Sequence, residues 1–97
     1  MNDPAFEWDK RKASENRRKH GVTFEEAKSA FLDENARVIP DPEHSDDEDR
    51  FILLGLSARL RLLVVVHCYR QGEDLIRIIS ARRADPTERN QYSDFLR

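Results

Sequence analysis

Residues 60–82 read "LRLLVVVHCYRQGEDLIRIISAR", and the fold turns on how this stretch is divided. Two runs rich in Val, Ile and Leu, 60–70 and 74–82, flank the short polar link QGED. Branched apolar residues at that density favour strands, and a link so short can only join neighbours, so the pair is an antiparallel hairpin. Gly72 followed by Glu73 suits a two-residue type II′ turn with glycine first. That turn pairs Gln71 with Asp74, His67 with Ile78, Val65 with Ser80 and Leu63 with Arg82. A tight turn at Arg59 and Leu60 would likewise bring Ile52 opposite His67 and Arg50 opposite Tyr69. Alternation then collects Arg50, His67, Tyr69, Ser80 and Arg82 on one face, and Phe51, Leu53, Val64, Val66, Ile79 and Ala81 on the other. In this register Arg83 falls on the face away from Arg82. A one-residue slip in either hairpin exchanges the faces.

The remaining segments follow from periodicity and punctuation. RFILLGLS (50–57) is a third strong strand, and ARVIPDP (36–42) is a strand that must stop at its prolines. AFEW (5–8) alternates as a short edge strand does. Asp9 and Gly21 bracket a first helix in which Ala13 is the one apolar interior residue, while Lys12, Asn16 and His20 share a face. Thr23 and Glu26 have the spacing of a capping box, opening a second helix with an apolar stripe of Phe24, Ala27, Ala30 and Phe31. Asp85, Pro86 and Glu88 open a third helix at the C-terminal end. The order is β-α-α-β-β-β-β-α: one α+β domain over residues 1–97, a small antiparallel sheet with two N-terminal helices and one C-terminal helix. The three strong strands are apolar on both faces, so helices or a partner must cover both.

Composition narrows the function. The chain has 97 residues, 37% of them charged, a net charge of −2 and one cysteine. No apolar run is long enough for a membrane span, the first residues lack the apolar centre of a signal peptide, and Cys68 has no disulfide partner, which points to the cytoplasm. No Cys/His spacing suits zinc, and no cofactor motif is present, so no metal or cofactor is expected. Residues 41–49 hold six acids and no Lys or Arg; without those acids the balance of −2 becomes +4. The remainder is therefore mildly basic, and the acidic stretch reads as a solvated loop.

Several residues have the chemistry to cut RNA without a metal. The 2′-hydroxyl attacks the adjacent phosphate while the protein supplies a base, a cation for the developing charge, and an acid for the leaving oxygen. Acid or base candidates are His67, His44, His20, Glu43 and Tyr92. Arg50, Arg82, Arg83 and Lys19 are the phosphate candidates, arginine's planar fork suiting phosphate well. Each has a plainer reading: His67 as a packed core imidazole, His20 as a helix-end residue, and the Arg82–Arg83 pair as edge charge.

Three blocks, 6–27 (FEWDKRKASENRRKHGVTFEEA), 41–57 (DPEHSDDEDRFILLGLS) and 61–92 (RLLVVVHCYRQGEDLIRIISARRADPTERNQY), resemble in order the BrnT toxins of bacterial type II toxin–antitoxin systems. The resemblance implies a RelE-like ribonuclease fold and an RNA-cleaving toxin that inhibits translation. It also implies neutralisation by a BrnA-type antitoxin, two toxins with two antitoxins, with operator DNA contacted only through the antitoxin. The matching positions include Lys19, His20, Gly21, Glu43, His44, Arg77, Ser80, Arg82, Arg83, Glu88, Arg89 and Tyr92. Asp49-Arg50-Phe51 stands where other members read ERF. The expected catalytic set is Arg82, His67, Arg50 and Tyr92, with Arg83, Lys19, His20, Ser80 and Glu43 on the RNA. A non-catalytic module that joins a DNA-binding antitoxin in an autorepressor is the rival reading, and an uncovered sheet favours it.

Overall fold

The computed structural model describes residues 4–43, 49–72 and 74–96. The elements are β1 (Ala5–Glu7), α1 (Lys10–His20), α2 (Phe24–Ala30), β2 (Arg37–Pro40), β3 (Phe51–Leu56), β4 (Leu62–Arg70), β5 (Leu75–Arg83) and α3 (Pro86–Phe95). Their order is the one expected. The sheet runs β1-β5-β4-β3-β2, and β2 to β5 form the expected antiparallel meander. β1 differs from the expected all-antiparallel arrangement. It joins β5 in parallel, Ala5 opposite Leu75 and Glu7 opposite Arg77, so the sheet is mixed. Both helices and three strands separate the two partners, which leaves ample chain for a parallel return.

Helix ends obey their local signals. The Asp9 side chain accepts from the Arg11 and Lys12 N–H groups, and Gly21 closes α1 in the left-handed region at φ 70°. Thr23 Oγ1 accepts from Glu26 N–H, and Asp85 and Glu88 form a complete reciprocal box at the start of α3. The core lies between the helices and one sheet face: Val22, Phe24, Ala27 and Ala30 meet Leu53, Leu63, Val65, Ile78 and Ala81. Gly55 lets α2 come this close. A Cβ there would lie 2.9 Å from the Ala30 carbonyl oxygen, so the contact is possible only without a side chain.

The first hairpin register differs from the expected one, and the second departs from it only past a bulge. In the first, Ser57 N–H donates to Arg61 O at 2.9 Å, and Ser57 Oγ accepts from the N–H groups of Arg59 and Arg61. The serine thus organises a wider turn, with Leu60 at φ 61°, and the ladder pairs Phe51, not Ile52, with His67. In the second, Asp74 N–H donates to Gln71 O at 3.3 Å, and the ladder runs as expected from Arg70 opposite Leu75 to His67 opposite Ile78. A bulge between Val66 and His67 then leaves Ile79 as the extra residue, so Ser80 faces Val66, Arg82 faces Val64 and Arg83 faces Leu63.

The bulge exchanges the faces. His67 lies on the helix-covered side with Phe51, Leu53, Val65 and Ala81, whereas Ser80 and Arg82 lie on the opposite side with Val64 and Val66. The expected common face of Arg50, His67, Tyr69, Ser80 and Arg82 therefore does not exist. Arg82 and Arg83 still point to opposite sides, but in the reverse sense to that expected: Arg83 shares the side of α1 and α2.

Candidate nucleic-acid interface

α1 is an unusual helix, with basic residues on most of its surface and Asn16 as its one buried side chain. β1 covers the outer edge of β5 only at residues 75–77. Farther along, the Asn16 amide takes a neighbouring strand's place. Its Oδ1 accepts from Ala81 N–H at 3.1 Å, and its Nδ2 donates to Ala81 O at 2.8 Å and to Val22 O at 3.0 Å. One amide thus satisfies three buried backbone groups, which would otherwise cost about 1–3 kcal/mol each. The face formed by Lys12, Asn16 and His20 was visible in the sequence, but the role of Asn16 on it was not.

Just beyond α1, the chain at Gly21 meets the β3–β4 hairpin. Arg61 Nη2 donates to Gly21 O at 3.1 Å. The same guanidinium forks onto Glu26 of α2, through Nε to Oε2 at 2.9 Å and through Nη2 to Oε1. Ser57 Oγ donates to Glu26 Oε2 at 2.8 Å. The Glu26 side chain is only 3% exposed, and its charge survives burial because Arg61 holds its carboxyl below the usual carboxylate range. Sequence reading assigned Glu26 to a helix cap and did not find this network. Its available signal was a glutamate with an apolar i+1 neighbour, opposite two arginines flanking a turn.

This anchored junction gathers cations from three elements. Arg17, Arg18, Lys19 and His20 form the last turn of α1. Arg59, its side chain 69% exposed, and Arg61 come from the hairpin. Arg83 is exposed at the end of β5, two residues beyond the Ala81 that Asn16 binds. The carbonyl end of a helix repels anions, so a phosphate is served here by the long side chains and not by the helix axis.

The residues expected to form the catalytic set are dispersed. His67 is fully buried, its ring edge-on to Phe31 at 4.8 Å and to Tyr69 at 5.3 Å. Nδ1 lies 3.2 Å from Val65 O and Nε2 3.4 Å from the Tyr69 hydroxyl. Burial holds its pKa below the ordinary value, so the ring is a neutral core group at pH 7. Arg82 lies across the sheet, bidentate to Glu88 with both contacts at 2.8 Å. Tyr92 is buried, and its hydroxyl donates to Asp33 Oδ2 at 2.6 Å; burial, then this bond, pushes its pKa up to about 12. Arg50 is half-buried at the mouth of the β2–β3 ladder, where its carbonyl accepts from Asp41 N–H at 2.8 Å.

Of the remaining candidates, Ser80 is half-buried beside Arg82 on the second face. Glu43 is exposed after β2, its N–H bound to Asp41 Oδ1. His44 lies outside the described residues, as does most of the acidic stretch. Lys19 and His20 end α1, the helix that Asn16 ties to β5 two residues before Arg83.

These features define the class first: a small α+β domain, with two helices on one face of a mixed sheet and a concentrated cationic corner. Residues 8–88 match the family described as ribonuclease toxin, BrnT, of type II toxin–antitoxin system, and the chain belongs to that family. The crystal structure of the Brucella abortus ribonuclease toxin BrnT is similar, with a TM-score of 0.65 and 25% sequence identity, covering 86% of this chain and 99% of that one. No curated protein sequence matches the chain.

Proposed function

We propose that the chain is the RNA-cleaving toxin of a bacterial type II module, acting by metal-independent attack of the 2′-hydroxyl and thereby inhibiting translation. The observation that supports this reading is the junction at Gly21, where Arg61 reaches the end of α1 that carries Lys19 and His20, and Asn16 ties that helix to β5 two residues before Arg83. Arg83 and Lys19 hold the scissile phosphate, and His20 takes the proton from the 2′-oxygen. The new P–O2′ bond forms as the P–O5′ bond breaks and the leaving 5′-oxygen takes a proton from water, giving a 2′,3′-cyclic phosphate and a 5′-hydroxyl end. The Arg83 guanidinium stabilises the phosphorane charge, while Arg61 stays on Glu26 and holds the junction in place. His67 and Tyr92 serve this site indirectly, as parts of the frame, and Arg82 reaches a phosphate only when Glu88 releases it. A BrnA-type antitoxin neutralises the toxin in an assembly of two toxins and two antitoxins. The complex works in the cytoplasm, and only the antitoxin touches operator DNA.

Sequencing of RNA 5′ ends from cells expressing the chain tests this. Wild type should produce growth arrest and new cleavage ends, and the purified chain should cleave RNA in EDTA. His20→Ala should lower cleavage about 100-fold, as loss of a general base does, and His20→Ala with Arg83→Ala should abolish arrest. Cleavage at the wild-type rate by the folded double variant would discard the corner as the site.

A second reading has its own observation. His67 is enclosed and Arg82 is neutralised, while the second sheet face keeps an apolar groove beside α3. A non-catalytic module that assembles with a DNA-binding antitoxin into an autorepressor fits that arrangement, and absence of any new RNA ends from wild type would select it.

A further inference from the structure

The two faces of the sheet are covered unequally. Among the described residues, α1 and α2 lie on one and only α3 lies on the other, with its Phe95 53% exposed. Between α3 and the strands is a groove of about 360 Å³, lined by Ile39, Ile52, Leu54 and Val64 on its floor and Glu88, Gln91 and Phe95 on its wall. Ile39, 56% exposed, carries the apolar floor out to the edge strand β2. Isolated exposed apolar side chains are ordinary, but a contiguous apolar groove beside an unpaired edge marks a place where something docks.

We infer that this groove receives an amphipathic helix of the antitoxin, packed beside α3 as the second helix the open face lacks. The inference rests on the toxin–antitoxin reading above, which supplies a protein partner. A helix suits the groove because α3 already packs on this face as one, and an amphipathic helix offers its apolar side to such a groove. Charge sets the partner's chemistry. Arg37 and Arg82 line the groove against the single acid Glu88, which already takes both nitrogens of Arg82. Arg37 lies with its guanidinium 3.3 Å from the Phe95 ring centre, at the mouth. The docking helix therefore carries apolar residues at i, i+3 or i+4, and i+7, with a carboxylate placed to meet Arg37. The groove and the Gly21 corner are separate surfaces, because the sheet lies between them. Docking of this helix alone leaves the cationic corner uncovered.

Calorimetric titration of the co-expressed antitoxin into the chain tests the groove directly. Ile39→Asp and Phe95→Asp replace exposed side chains outside the proposed RNA corner, so both should keep the wild-type circular dichroism spectrum and RNA cleavage. Each should weaken antitoxin binding at least about tenfold, and together about 100-fold, as a charge placed in an apolar contact does. Where Ile39→Asp disturbs the edge strand, Phe95→Asp alone reads the groove from the helix side. Wild-type affinity in the folded Phe95→Asp variant would overturn the inference. So would sedimentation of the chain alone as a dimer that Phe95→Asp dissociates, since a second copy would then fill the groove. Binding is read without RNA, so a chain that cleaves nothing but binds through the groove refutes the nuclease reading and leaves this one standing.

Discussion

Two arginine–glutamate forks hold this molecule, and they begin from the same sequence motif. Thr23-Phe24-Glu25-Glu26 and Asp85-Pro86-Thr87-Glu88 each place a glutamate three residues after a helix cap. In α3 the glutamate completes the box, accepting from Asp85 N–H at 2.9 Å, and also holds Arg82. In α2 it leaves the cap and turns inward to Arg61 and Ser57. The difference is burial. Side-chain exposures are 3% and 22% for Glu26 and Arg61, against 22% and 43% for Glu88 and Arg82. A capping motif thus locates the start of a helix without deciding where its glutamate goes.

The comparison is broken most directly at Arg61. Arg61→Ala strands a buried carboxylate, and should cost about 3–5 kcal/mol in urea denaturation. A domain of this size has only about 5–15 kcal/mol to lose, so the variant should be near unfolding at 37 °C. A loss under about 1 kcal/mol would show that solvent reaches Glu26 and that the two forks are alike.

Acid should rank second. His67 has a lowered folded pKa, so below about pH 6.5 the unfolded chain takes up a proton that the folded chain refuses. Stability should therefore be full above that pH and fall by up to about 1.4 kcal/mol per pH unit as pH drops beneath it. Both fork glutamates also have lowered pKa values, each chiefly through its arginine, and add a further loss once pH falls through the carboxylate range. His67→Phe should remove the limb between pH 6.5 and 5 while leaving the carboxylate limb. An unchanged upper limb would assign it to another group.

The smallest effect belongs to the exposed fork. Arg82→Ala should cost about 1 kcal/mol or less, because water screens the pair and Glu88 keeps its contact with Asp85. The loss should shrink further in 0.5 M salt, whereas that of Arg61→Ala should not. A salt-independent loss of several kcal/mol at Arg82 would mean that the outer fork is as dry as the inner one.

The element order and the helix caps were legible in the sequence, because they depend on residues close in the chain: Asp9 with Gly21, Thr23 with Glu26, Asp85 with Glu88. The expectation that helices or a partner must cover both faces of the sheet rested on equally local apolar runs. The faces themselves were not legible. They depend on whether Ser57 widens one turn and whether Ile79 bulges out of a ladder, and a one-residue change there moves Arg82 from beside His67 to the opposite side. The buried networks were hidden for a related reason. Glu26 meets Arg61 across 35 residues and Asn16 meets Ala81 across 65, and no spacing rule reaches that far. Lys19, His20 and Arg83, matched through the family resemblance, are the candidates the fold gathers; the set assembled by strand arithmetic is scattered.

The Asn16–Ala81 contact also bears on the order of events at the ribosome. α1 packs on β5, and β1 pairs with β5, so neither has its partner until the chain has been synthesised past Ala81. A nascent chain emerges from its N-terminal end, and contacts this distant in sequence close late. The basic turn of α1 and Arg83 can therefore meet only after residue 83 has been synthesised. The cationic corner therefore cannot form until every element from α1 to the end of β5 has been made.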